Sequence, residues 1–152
     1  MKHGALAVIT LAALGAAQPG VLPAQGAGDA RPYRVIVNAE NPVGLLSQQE
    51  LSRLFLLKTA TWSFNGQAVL PVEPGGDSPV RTAFIREIHH KNPVDITVYW
   101  EQMVFQGKAS PPPTESSDSE VMNYVRQHPN AIGYVSTGTR LTSDLKPITI
   151  TR

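Results

Sequence analysis

Thirteen prolines and twelve glycines interrupt a chain of 152 residues, and this punctuation limits every element to a short run. Proline fixes its own φ, withholds an N–H and pushes the residue before it towards extended backbone; glycine opens turns. Between the breaks, β-branched runs alternate with helical stretches that show one apolar face. Strands alternating with helices predict an α/β domain with a mixed, mostly parallel sheet flanked by helices.

Residues 33–38 form a β-branched strand pattern closed by a turn at Asn41-Pro42. Ser47 and Glu50 have the spacing of a capping box, and Leu51, Leu54 and Phe55 follow on one helical face. Beyond Trp62 and a turn at Asn65-Gly66, residues 68–73 read as a second strand. Ser78 with Pro79 behind it opens a helix, since proline is tolerated at the first helical position; Val80, Phe84 and Ile88 are its buried stripe. A further helix is expected from Pro93 or Asp95 to Gln106. Its core face is Ile96, Trp100, Met103 and Val104, and Gly107 is its stop. Ser117 and Glu120 repeat the capping-box spacing ahead of Val121, Tyr124 and Val125. Residues 132–136 and 146–150 are expected to close the chain as strands. The run Pro111-Pro112-Pro113 makes residues 109–117 an extended surface crossing.

The start of the chain stands apart. Lys2 and His3 are followed by an uncharged Ala-, Leu-, Val- and Ile-rich stretch over residues 4–17, and small residues gather at 24–27. This is the three-part layout of a secretory signal peptide, with cleavage expected after Ala24 or Gly26. Residues 1–26 are then the signal and 27–152 a single periplasmic or secreted domain. The apolar run is shorter than the ~20 residues of a spanning helix, so no stable membrane insertion is expected after cleavage. The signal carries Lys2 alone of the 13 basic residues, leaving 12 against 12 acidic ones. A near-neutral domain lacks the charge that nucleic-acid binding needs. The absence of cysteine excludes disulfides, a thiolate nucleophile, iron–sulfur ligation and sulfur-dependent zinc sites.

The most informative segment chemically is 72–81, Val-Glu-Pro-Gly-Gly-Asp-Ser-Pro-Val-Arg, which runs from strand through a glycine turn into a capped helix. Free N–H groups and the positive dipole end make such a helix start a seat for an oxyanion. In that arrangement Gly76 and Asp77 shape the turn and the Ser78 hydroxyl donates to the anion. Val80 and Arg81 offer backbone N–H groups, and the Arg81 side chain adds charge. Asp77 could instead accept a proton from a partly protonated anion. Pro79 removes one N–H from the cradle. The spacing fits equally a Ser78 that only caps its helix.

Residues 78–84, Ser-Pro-Val-Arg-Thr-Ala-Phe, resemble the Ser-Gly-Thr-Arg-x-x-Phe stretch of periplasmic phosphate-binding proteins, the receptors of phosphate ABC transporters. Val35-Ile36-Val37-Asn38 with Asn41-Pro42 is similar to the strand entering that family's second lobe. Residues 46–51 with Leu54, Phe55 and Trp62 resemble its leucine-serine helix and tryptophan turn. Asn130-Ala131-Ile132-Gly133-Tyr134-Val135 is similar to its late Pro-Gly-Ala-Ile-Gly-Tyr-Val strand. The resemblance implies a single lobe of a type II periplasmic-binding-protein fold, a non-catalytic solute-binding role and no cofactor. Its ligand would be phosphate or a similar small oxyanion, bound weakly unless a second copy or a partner protein completes the cleft. Family members carry an arginine where this chain has Pro74, and Gly and Thr where it has Pro79 and Val80. Only Ser78 carries over by identity as an anion ligand.

Other chemistries fit less well. A Gly-Asp-Ser hydrolase needs a histidine base in an Asp-x-x-His arrangement, and no aspartate from Asp29 to Asp144 has a histidine three residues on. Neighbouring helical residues point about 100° apart, so His89-His90, even with Glu87, makes a poor metal pair. They read instead as histidines of a last helical turn, where the dipole favours positive charge. Tyr99-Trp100 reads as core packing. The remaining alternative is a binding-defective lobe that acts as a protein-interaction module.

Overall fold

A computed structural model describes residues 31–152, and the signal expected over 1–26 lies outside them. The elements are β1 (Tyr33–Asn38), β2 (Leu45–Ser47), α1 (Gln48–Phe55), β3 (Leu70–Pro74), α2 (Pro79–Phe84), α3 (Pro93–Phe105), β4 (Thr114–Glu115), α4 (Asp118–Gln127), β5 (Ala131–Ser136), β6 (Leu145–Pro147) and β7 (Thr149–Thr151). A five-stranded sheet has the order β4-β3-β5-β1-β6, and β2 and β7 pair separately in parallel. In the larger sheet β1 alone is reversed; it lies antiparallel to β5 and β6, while β3 runs parallel to β4 and β5.

Two prolines inside β3, a central strand, need an explanation, because proline cannot donate to a ladder. Leu70 donates to Asn130 on the β5 side, whereas Glu73 and Gly75 donate to Pro113 and Glu115 on the β4 side. Alternation therefore aims the missing donor of Pro71 at β4 before that pairing begins. The missing donor of Pro74 is aimed at β5 after the last pair, Val72 with Gly133. Each proline sits just outside the paired stretch on the side its missing donor faces.

Alternation along the strands also makes the two faces. Tyr33, Val35, Val37, Ile132 and Tyr134 face α1 and α2, while Ile36, Val72, Val135 and Leu145 pack with Val121 and Val125 of α4. The first face holds an aromatic cluster in which the Phe84 and Tyr134 rings stack at 4.0 Å and Phe55 meets Phe84 edge-on at 4.8 Å. Leu56, Ile85, Ile96 and Trp100 join α3 to this layer. Helices cover both faces, as the alternating pattern requires.

Local signals explain the helix ends. Ser47 and Glu50 form the expected capping box, and Asn92 and Asp95 form a second one. At α4 only half of the expected box closes: Ser117 accepts from the Glu120 N–H, but the Glu120 carboxylate turns to Ser116. α2 passes into a π-helical turn (Ile85–His89) that ends at His90 with φ 53°. The expected strand over 146–150 is two strands in different sheets. β6 ends at Pro147, and Ile148 donates to Val35 before the chain joins β2. The proline crossing contains β4, and Val104, expected in the core, is 53% exposed.

Candidate functional site at the ends of β3 and β4

Strands β3 and β4 are adjacent and parallel, so the turns that leave them emerge at one edge of the sheet. Gly75 ties the two exits together, donating to the Glu115 carbonyl at 2.8 Å. A Cβ on Gly75 would lie 3.4 Å from that carbonyl and from Thr114, a close approach that favours glycine. Gly76 turns the chain with φ 64°, and a Cβ there would meet nothing within 4 Å. The corner is open.

Ser78 caps α2, its hydroxyl oxygen accepting from the Arg81 N–H at a long 3.4 Å. Pro79 follows at the first helical position. Among the described α-helices, α2 alone lacks an acidic residue in its first turn; α1 has Glu50, α3 Asp95, and α4 Asp118 and Glu120. The other helix starts carry their own anion, and this one does not. Asp77 is exposed beside it, and Val80 is half-buried against the core.

Arg81 leads away from the corner. Its Nε donates to Glu73 Oε2 at 3.2 Å. Glu73 is 4% exposed, and burial raises its pKa while the Arg81 guanidinium opposes that rise. The Tyr134 hydroxyl is buried without a hydrogen-bond partner; burial first, and the Glu73 charge second, hold it well above the ordinary phenol range. Arg81 and Glu73 form one wall of a groove of about 560 Å³, whose other wall includes Thr97, Trp100, Pro112 and Thr114. Of the five residues expected at the site, Arg81 lines this groove and Gly76, Asp77, Ser78 and Val80 do not.

Sequence reasoning missed Glu73 and the groove. The signal for Glu73 was an acid at the end of an otherwise apolar strand. The groove joins segments some forty residues apart and left no local pattern. His89 also departs from expectation: it is buried, and its Nδ1 lies 2.9 Å from the Ser52 hydroxyl. Burial first, then Lys58, Arg81, His90 and Lys91, lower its pKa to about 4. The ring is neutral, because desolvation outweighs the helix dipole. Among the described residues, no group of three or more His, Asp or Glu side chains is placed to hold a metal ion. Nor is any described helix long and apolar enough to cross a membrane.

Solved structures share this fold. An ABC-type phosphate transport receptor from Vibrio cholerae aligns over 78% of this chain and 46% of its own, with a TM-score of 0.54 and 18% identity. A phosphate ABC transporter substrate-binding protein with bound phosphate, from Clostridium perfringens, aligns over 78% and 44% with a TM-score of 0.60 and 20% identity. The fold is that of one lobe of a phosphate-transport receptor. A possible phosphate binding protein from Planctomyces limnophilus aligns over 79% and 41%, with a TM-score of 0.61 and 17% identity. The chain thus spans less than half the length of these receptors. No protein-family model and no curated protein sequence matches it.

Proposed function

We propose that the chain is an exported, non-catalytic solute-binding lobe that takes phosphate or a similar small oxyanion at the start of α2. The observation that carries this reading is the α2 corner itself: an open glycine turn leading to a helix with no acidic residue in its first turn. The Ser78 hydroxyl rotates from capping to donate to the anion, and the Val80 and Arg81 N–H groups add to it. Gly76 and Asp77 hold the turn; in the alternative, Asp77 accepts the proton of a partly protonated anion. The Arg81 charge is shared with Glu73, so its contribution is reduced.

Affinity follows from exposure. A helix dipole contributes a few tenths to ~1 kcal/mol to a solvated anion, whereas tight binding needs burial with every oxygen bonded. Millimolar affinity is expected. Calorimetry of the protein with phosphate and with sulfate, beside Ser78→Ala, tests the assignment. One lost hydrogen bond to a charged group predicts weakening of about tenfold. Equal binding by both proteins removes Ser78 from the site.

A second reading has its own support. Val94, Val98 and Phe105 on α3 are 69%, 44% and 94% exposed, and Val104 of the same helix borders the groove beside Arg81. Such a surface suits a protein-interaction module. Absence of anion binding at millimolar concentration favours this reading over the first.

A further inference from the structure

A second concavity lies between the side of α1 and the end of the π-turn. It has a volume of about 570 Å³, and its wall includes Arg53, Lys58, Arg152, His90 and the Ser52–His89 pair. No aspartate or glutamate lines it. Among the described residues, Arg81 and Arg126 have carboxylate partners, whereas no ion pair holds Arg53, Lys58 or Arg152, and Lys58 Nζ lies 5.7 Å from the centre of the Tyr99 ring. Glu87 reaches the rim only through Gln48, and it also accepts from Arg31 and from Tyr33.

The backbone around this pocket is unusual as well. The two non-glycine residues with positive φ among those described are Leu57 at 51° and His90 at 53°. One directly precedes Lys58 and the other is part of the wall. Left-handed backbone at residues with side chains is strained and persists only where its surroundings enforce it. The π-turn also ends here, and its carbonyl end brings roughly half a negative charge. That is enough to gather cations and too little to neutralise three of them.

We propose that this pocket is an anion site independent of the α2 corner, for a ligand of condensed-phosphate or phosphate-ester chemistry held by Arg53, Lys58 and Arg152. Guanidinium forks match pairs of phosphate oxygens, and the lysine adds a point charge. Three cations and this volume suit more than one phosphoryl group. The Gln48, Gln49 and Ser52 side chains supply neutral polar contacts. The pocket shares no residue with Gly76, Asp77, Ser78, Val80 or Arg81, so the proposal stands whether or not that corner binds.

Titration of the full chain with inorganic pyrophosphate at neutral pH and low salt tests it. Saturable one-to-one binding is expected, weakening about tenfold in Arg53→Gln and again in Arg152→Gln. Both residues are exposed, and unchanged thermal melts confirm that the variants fold. Arg126→Gln, at a paired surface arginine outside the pocket, should bind as the parent does. Vesicles containing phosphatidic acid identify the source: pyrophosphate-competed, Arg53-dependent co-sedimentation assigns a lipid head group, and its absence assigns a free anion. No pyrophosphate binding at millimolar concentration, or an equal loss in Arg126→Gln, overturns the proposal.

Discussion

The π-turn that extends α2 rotates His89 inward, where its ring meets Phe84 edge-on at 5.5 Å and pairs with Ser52 at 2.9 Å. Protonation would place a charge in this apolar wall, beside Lys58 and His90, so the fold holds the ring neutral. Unfolding releases it to an ordinary imidazole of pKa 6.5. A group lowered in the fold contributes stability above its unfolded pKa, and that contribution is lost as pH falls towards the folded value of about 4. Between pH 7.5 and 5 the loss from this residue alone is about 2 kcal/mol. Urea unfolding at the two pH values measures it, and His89→Leu should flatten most of that difference. Glu73 works in the opposite sense. Its pKa is raised by burial, so its protonated form is favoured in the fold, and the stability it contributes is lost as pH rises through that raised value. A residual slope of this sign should survive in the His89 variant.

Elements whose instructions are local were legible in the chain; elements made by a partner were not. The Ser47–Glu50 box, the Ser78-Pro79 start and the Gly107 stop all lie within a few residues of the structure they specify. β4 is two residues after a proline run, and it is a strand only because β3 presents the Glu73 and Gly75 N–H groups to it. The break between β6 and β7 likewise reflects a change of partner from β1 to β2. At the candidate site the corner was readable for the same reason, since 76–81 are contiguous. The Arg81–Glu73 wall was not, because only packing turns Arg81 away from the corner. Gly133 shows how tightly such packing is set. A Cβ there would stand 2.8 Å from Val72 Cγ1 and 2.9 Å from Val121 Cγ1, between β5 and α4. Gly133→Ala should cost about 1–3 kcal/mol by overpacking, read as a lower urea midpoint. Val121→Ala in the same chain should restore part of the loss, because it removes one of the two clashing methyl groups. An unchanged midpoint in the single variant would show that α4 yields freely to the sheet.

At the scale of the molecule, the decisive fact is that the chain spans 41–46% of the receptors named above. Where nothing closes over it, an anion at the α2 corner meets one protein surface, and the opposite side of the ion stays in water. Hydration retained there limits what any hydrogen bond at Ser78 can add, since each replaces a comparable bond to solvent. Two physical cases then separate cleanly. If one lobe acts alone, phosphate affinity is a property of the single chain and does not change with its concentration. If a second copy closes over the corner, ligand binding and association are linked, and apparent affinity rises with protein concentration. The α2 corner presents Ser78 and backbone N–H groups, the Arg81 side chain being turned to Glu73, and so small a donor set makes the first case the expected one. Phosphate titrations at two protein concentrations about thirtyfold apart should therefore yield the same millimolar constant, weakening with added salt as an exposed charge interaction does. A constant that tightens in step with protein concentration would mean that the cleft is completed by another copy, and Ser78→Ala would then weaken both phosphate binding and phosphate-dependent association.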